Sequence, residues 1–300
     1  MMDDVGTQKG RTCAITGSSG YLGSRIKAYL HDKGWIVYGL NRRPASGILR
    51  AERTIPFSLG QDIDAGRLSN IEVLIHCAYD FRLVTWEEIV DVNVKGSVKL
   101  FEAAEQAGVK RIIFISSMSA FEGCKSLYGK TKLEIEKEAS KRGALIVRPG
   151  LTFGKHPGGM VGALQKVLSV SPIVPLAGSG NQVLYLAHER DLSQLILVLC
   201  QEDHPEVSKP VLAACKRGMS FRQILEVLAA VRGTRPILVP IPWRLVWAGL
   251  KGLEIIGLRP SFRSDSIVSL VNQDTAPSFE MTERLSVPFR EFCLETVLQG

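Results

Sequence analysis

Short, continuously apolar runs alternate with longer amphipathic segments through the first half of the chain. Arg11–Thr16, Trp35–Leu40, Val73–His76, Arg111–Ser116 and Ala144–Arg148 read as strands, with Thr54–Phe57 a weaker one. Between them, Tyr21–Lys33, Glu87–Gln106 and Leu127–Lys141 carry helical periodicity; Gly108 and a glycine at 143 terminate the second and third. A strand buried on both faces needs no polar alternation, so these runs suit a parallel sheet covered by helices on each side. The predicted class is α/β: a doubly wound parallel sheet of Rossmann type with a smaller C-terminal substrate lobe.

Beyond Gly150 the pattern changes, with glycine and proline frequent as far as Gly180. Asp191–Cys200 reads as an apolar helix and Pro210–Ala214 as a strand rejoining the sheet. Ser220–Gln223 is a capping box opening a helix to Val231, and Pro236–Pro240 is a short extended piece. The apolar run Trp243–Ile256 reads as a packing helix or lobe interface in preference to a membrane-surface helix. Residues 9–150, with a sheet completed by 186–216, are expected to bind a dinucleotide. Residues 151–185 and 217–300 are expected to form the substrate lobe.

Composition narrows the classes. The 300 residues are 45% hydrophobic and 22% charged, which suits a folded chain with a sizeable core. The net charge of +7 is spread along the sequence, without a basic arm or an aromatic-basic stacking motif. It reads as solubility rather than nucleic-acid binding. The polar N-terminus lacks a signal-peptide core, and no stretch reaches the ~18 apolar residues of a spanning helix. The expectation is a cytoplasmic protein with no membrane partner. The six cysteines show no Cys-x-x-Cys spacing and read as reduced thiols. His76, His156 and His188 read as structural, and no metal is expected.

The chemistry concentrates at two places. Thr16–Gly23 (TGSSGYLG) follows the first strand and opens the first helix, with glycine at 17, 20 and 23. Such a loop turns tightly, lets backbone approach a pyrophosphate, and offers it the helix N-terminus. Gly17, Ser19, Gly20, Tyr21, Leu22 and Gly23 are therefore candidate cofactor contacts. The second strand ends Asn41-Arg42-Arg43 with no carboxylate, which favours a ribose 2′-phosphate and hence NADP over NAD.

Tyr128 and Lys132 lie four apart on one helical face, one short loop after a strand ending Ser116-Ser117. A phenol titrates near pH ~10, too high for proton transfer at neutrality. An ammonium at ~4 Å is worth about 4 kcal/mol at an effective dielectric of ~20, enough to lower that pKa. Tyr128 then exchanges a proton with a substrate oxygen that Ser117 holds, while hydride moves at the neighbouring carbon.

With TGSSGYLG, Asp62-Ile63, His76-Cys77-Ala78, Asn93-Val94-Lys95-Gly96, FISS, YGKTK and Arg148-Pro149-Gly150, the chain resembles an extended short-chain dehydrogenase/reductase of the NAD-dependent epimerase/dehydratase type. The resemblance implies that Ser117, Tyr128 and Lys132 are catalytic and that Asp62 and Ile63 flank the adenine. It also implies that Ala78 lines the cofactor channel, that Asn93 braces the central helix, and that two long helices form a homodimer. Two departures narrow it. Met118-Ser119 stands where family dehydratases carry Asp-Glu, which speaks against sugar dehydration. No arginine precedes His188, which weakens a nucleotide-sugar site unless Arg148, Lys155 or Lys216 substitutes. The activity expected is oxidoreduction of a small-molecule carbonyl/alcohol pair. The alternatives are a nucleotide-sugar epimerase with tightly held NAD, or a non-catalytic dinucleotide-binding subunit.

Overall fold

The computed structural model describes residues 11–42, 53–201, 206–258 and 262–299. The first lobe runs β1 (Thr12–Thr16), α1 (Tyr21–Asp32), β2 (Ile36–Asn41), β3 (Arg53–Pro56), β4 (Val73–His76), α2 (Trp86–Ile89), a π-helical stretch Val90–Lys95, α3 (Gly96–Gln106), β5 (Arg111–Ile115), α4 (Leu127–Ser140) and β6 (Leu145–Pro149). There follow β7 (Leu151–Phe153), α5 (Gly159–Val170), β8 (Ile173–Ala177), β9 (Val183–Leu184), β10 (Leu186–His188), α6 (Glu189–Cys200) and β11 (Val211–Ala213). The chain ends with β12 (Met219–Ser220), α7 (Phe221–Val231), β13 (Ile237–Ile241), α8 (Trp243–Ile255), α9 (Ser264–Val271), α10 (Glu280–Arg284) and α11 (Leu294–Gln299).

Seven parallel strands form one sheet in the order β11-β6-β5-β4-β1-β2-β3. The order reverses between β1 and β4, the switch point at which open α/β sheets bind ligands. Pairing of Thr16 with both Leu40 and His76 brings three strand ends to one level there. The anticipated strand near residue 212 does join the sheet, parallel to β6.

Ile26 and Leu30 of α1 and Leu192, Leu195 and Leu199 of α6 cover one sheet face. Leu100 and Phe101 of α3 and Ile135 of α4 cover the other. A separate core gathers Leu164, Val174, Phe221, Ile224 and Ile267 from α5, β8, α7 and α9. The chain then returns to the sheet, where Met281, Leu285 and Val287 pack with α6.

One expectation is corrected and another is refined. The helix expected over Glu87–Gln106 is continuous in space but widens at Val90–Lys95. There Asn93 is fully buried and its carbonyl accepts the Ser97 hydroxyl, so a side chain takes up a main-chain acceptor that the widened turn frees. The apolar helix expected over Trp243–Ile256 forms and does pack on the second core, but along a single stripe, Trp243, Val246 and Leu250, with none of its residues buried.

Candidate active site

Why β1 leads into a tight glycine turn is visible in the space around it. Gly17 adopts φ +65°, and a Cβ there would lie 3.2 Å from the Ala78 backbone. At Gly23 a Cβ would come within 2.3 Å of the Gly17 carbonyl oxygen, so α1 packs against the loop only because both positions lack side chains. The Gly20 amide closes the turn by donating to the Gly17 carbonyl at 2.9 Å. Helix α1 then begins with no side-chain cap and no acidic residue in its first turn. Its N–H groups and positive dipole end therefore meet no competing anion, which fits a dinucleotide pyrophosphate.

Ser19 and Gly20 are exposed at the loop tip, whereas Ser18 is buried and donates to Asn41 Oδ1 at 3.0 Å. Ser18 thus ties the glycine loop to the end of β2, a role the sequence reading gave to none of the serines. Tyr21 turns away from the loop, toward Gly158, Arg25 and Glu189, and burial raises its phenol pKa well above normal. Leu22 packs against the first core. The Tyr21 backbone starts α1, but its side chain belongs to the contact between α1 and α6.

At the far edge a groove of about 380 Å³ is lined by Arg42, Pro56, Gln61, Asp62 and Ile63 among others. Three residues singled out from the sequence thus meet in one place, beside the β2 end. Asp62 is paired there with Lys99 at 2.8 Å. Arg43 lies outside the described residues.

A buried polar chain stiffens the middle of the site. Thr16 Oγ1 accepts the Cys77 and Ala78 amides, each at 3.0 Å, and lies 2.7 Å from His76 Nδ1. His76 Nε2 is 2.8 Å from Ser97 Oγ. With both ring nitrogens engaged and the ring fully buried, desolvation, aided by the Lys132 charge, holds the imidazole down at about 3. His76 therefore stays neutral and structural. Asn93 extends the chain: its Oδ1 accepts the Asp80 amide at 2.7 Å and its amide donates to the Asp80 carbonyl. It braces the loop after β4 as well as the helix that carries it.

Ser116 and Ser117, adjacent after β5, point to different tasks. Ser116 is buried and donates to Glu136, whose carboxylate is held by Arg148 through two hydrogen bonds of 2.9 and 2.6 Å. Arg148 is thereby committed to the interior and cannot substitute for a diphosphate-binding arginine. Lys216 is also engaged, 3.1 Å from Glu283. Ser117 faces the site, where its Oγ accepts the Ser119 amide at 3.1 Å and hydrogen-bonds the Tyr128 side chain.

The Tyr128 ring stacks 5.6 Å from Phe81 and meets the edge of Tyr79 at 5.0 Å. Lys132, 2% exposed, donates to the Ile115 carbonyl at 2.8 Å, and its Nζ lies 4.7 Å from the Phe114 ring centre and 5.9 Å from that of Tyr128. The electrostatics depart from the sequence expectation. Burial pushes the Tyr128 phenol pKa up, Tyr79 adds to this, and only the Ser117 hydrogen bond opposes it. Burial also brings the Lys132 ammonium down to about 8. An ammonium among aromatic rings, already donating to a carbonyl, does not by itself offset phenol desolvation.

The tertiary structure adds a residue that sequence spacing does not reveal. Asp265, in the first turn of α9, accepts the Leu127 amide at 2.7 Å and the Tyr128 amide at 3.0 Å. Together with the Ser126 hydroxyl, which accepts from Gly129, it caps the helix that carries Tyr128 and Lys132. Ser269 donates to Ser119, and Arg263 donates to the Phe81 and Leu83 carbonyls, so the second lobe grips the site from three directions. Asp265→Ala is expected to lower stability by about 1–2 kcal/mol, the worth of a helix cap. It is also expected to lower kcat by roughly tenfold with KM less affected, because Tyr128 loses its mounting. Urea melts and steady-state kinetics check this. Unchanged kcat in a destabilised variant would make Asp265 purely a cap.

Residues 13–211 match the model of the NAD dependent epimerase/dehydratase family. The chain belongs to this family. Like its relatives, this epimerase/dehydratase-family member is an enzyme that works with a nicotinamide dinucleotide. It is 31% identical over 237 residues to a ceramide reductase of Caulobacter vibrioides, covering 76% of this chain and 73% of that protein. It is 25% identical over 266 residues to a UDP-glucose 4-epimerase of Vibrio cholerae, with 77% and 79% covered. Its fold superposes on MoeE5 in complex with UDP-glucuronic acid and NAD with a TM-score of 0.73, over 96% of this chain and 98% of that one, at 20% identity.

Proposed function

We propose that the chain is an NAD(P)-dependent oxidoreductase that moves hydride between the dinucleotide and a carbonyl/alcohol carbon, with Tyr128 as the acid/base. The observation that carries this reading is the convergence of Ser117, Tyr128 and Lys132 beside the end of β5, with β4 between it and the strand that leads into the glycine turn. When bound, the dinucleotide supplies the hydride and, once oxidised, a positive nicotinamide ring.

The chain's own groups do the rest. Ser117 holds the substrate oxygen, and Tyr128 gives that oxygen its proton. A buried phenol keeps its proton through neutral pH, so the resting site is charged for reduction. Lys132 provides positive charge near the phenolate left behind. Two further features support a reductase over an epimerase. The rings against Tyr128 are those of Tyr79 and Phe81, and the more exposed one, Phe81, has no polar group to offer a sugar. Arg148, on the strand next to β5, is held by Glu136. A nucleotide-sugar epimerase is the second reading, favoured by the likeness to the Vibrio epimerase and to the MoeE5 complex. Met118-Ser119 beside Ser117 supplies no acid and base for eliminating water.

For the cofactor we propose NADP, held at its 2′-phosphate by Arg42 with Arg43 behind it. Arg42 lines the groove at the β2 end, and no carboxylate follows that strand directly. The same reading carries a cytoplasmic homodimer formed across α3 and α4. Fluorescence titration of NADPH and NADH, with wild type and Arg42→Ala, tests it. NADPH is expected to bind more tightly, and the variant to lose about tenfold or more of that affinity, as fits a charge-assisted phosphate contact. Reduction of a carbonyl panel by NADPH then establishes the class. Preference for NADH, or a dinucleotide that co-purifies without exchanging, would move the epimerase to first place.

A further inference from the structure

A helix that is apolar all round is normally surrounded by protein or lipid. Helix α8 is apolar on both sides yet packs on one. Its inner stripe lies on the second core, while outward Leu245 is 64% exposed, Ile255 76% and the following Ile256 70%. A Cβ on Gly249 or Gly252 would meet open space, so nothing among the described residues shields this side. The strand pair before it continues the theme. Ile237 pairs with Ile173 in register, and both are more than half exposed. Pro242 joins this ribbon directly to α8.

The segment that carries this face is rich in cations. Residues 232–258 hold four cations, Arg232, Arg235, Arg244 and Lys251, against a single carboxylate, Glu254. Glu254 turns inward, accepting hydrogen bonds from Ser264 and pairing with Arg263 and Lys251. Arg232, Arg235 and Arg244 are exposed and have no ion pair among the described residues. Arg244 instead lies 5.7 Å over the Trp243 ring. The C-terminal end of α8 also adjoins the site's rim, because Arg263 bridges Glu254 to the carbonyls of Phe81 and Leu83. That rim is apolar: Phe81, stacked on Tyr128, is 61% exposed and Val84 45%.

We propose that this face docks the enzyme on an anionic membrane surface. The outer side of α8 and the β8–β13 ribbon enter the headgroup layer, and Arg232, Arg235 and Arg244 meet lipid phosphates. No helix among the described residues is long and apolar enough to cross a membrane, so the attachment is peripheral. A second copy fits less well. A two-fold contact would bring two copies of this cation-rich segment together, with the exposed Glu226, which shares a groove with Arg235, as an acid to offset them. The consequence for the substrate rests on the oxidoreductase reading above: the carbonyl compound would be an amphiphile held in the bilayer and admitted beside Phe81.

Co-sedimentation of the full chain with vesicles of phosphatidylcholine, with and without admixed phosphatidylglycerol, tests the docking without requiring turnover. The wild type is expected to bind the anionic vesicles and to bind zwitterionic ones weakly. Brominated acyl chains are expected to quench its tryptophan emission, a measurement that needs no variant. L245E/I256E, at exposed positions and verified as folded by circular dichroism, should lose tenfold or more of the partitioning. Arg235→Ala and Arg244→Ala should each lose about fivefold.

Absence of wild-type binding would overturn the proposal. So would L245E/I256E abolishing a dimer in sedimentation equilibrium while leaving vesicle binding intact, which would give the face to a second copy. Vesicle binding without carbonyl turnover would sink the enzymatic reading alone. Turnover of water-soluble carbonyls without vesicle binding would sink the docking alone.

Discussion

Tyr128→Phe is expected to lower kcat by about 10²–10⁴-fold, the usual worth of a positioned acid/base, while the protein still folds and takes up dinucleotide. The variant keeps the ring that packs against Tyr79 and Phe81 and loses only the oxygen that carries the proton. The pH dependence of the wild type is tied to the same pair. The phenol is held protonated by burial, so it sets no limb in the neutral range. Lys132 sits at about 8, lowered by burial, so its charge is present below that pH and lost above it. Reductive kcat/KM of the free enzyme should therefore fall as pH rises through about 8. Lys132→Arg should move that limb upward, because a guanidinium stays charged. A Tyr128→Phe enzyme with near-normal kcat would remove Tyr128 from the chemistry. A limb that Lys132→Arg leaves in place would assign it to another group.

Arg148→Ala is expected to destabilise the protein by about 3–5 kcal/mol, the cost of leaving a buried charge without its partner. Glu136 is buried on α4 and loses both of its strong hydrogen bonds, keeping only the Ser116 hydroxyl. A denaturant melt reads the loss, and R148A/E136Q should recover much of it by removing the stranded carboxylate. This pair also separates structure from substrate recognition. If Arg148 held a substrate phosphate, Arg148→Ala would raise KM with stability intact, the opposite of what its pairing with buried Glu136 implies.

The neighbourhood of Tyr128 was legible in the sequence wherever local rules fix geometry. Tyr128 and Lys132 share a helix face because of their spacing. Ser117 follows a strand end, and the glycines at 17 and 23 announce a turn that no side chain fits. What was not legible depends on residues far apart in the chain. Asp265 lies more than a hundred residues beyond the helix it caps, and nothing in the Ser264–Val271 pattern marks it as a partner of Leu127 and Tyr128. Ser116 and Ser117 look alike in sequence, and only the position of Glu136 separates the buried one from the one facing the site. The lowered phenol pKa expected from Lys132 also failed to appear, because desolvation is a property of the assembled site and not of spacing.

The order of strands and helices, the glycine turn and the Tyr-x-x-x-Lys face were set by the sequence itself, since each rests on periodicity or on a steric requirement within a few residues. The tertiary structure alone decided three things. It committed Arg148 to Glu136, it mounted the helix of Tyr128 and Lys132 on Asp265, and it left one side of α8 uncovered. Each depends on which distant surfaces meet once the sheet and the second core have packed, and burial, charge pairing and exposure exist only after that packing is complete.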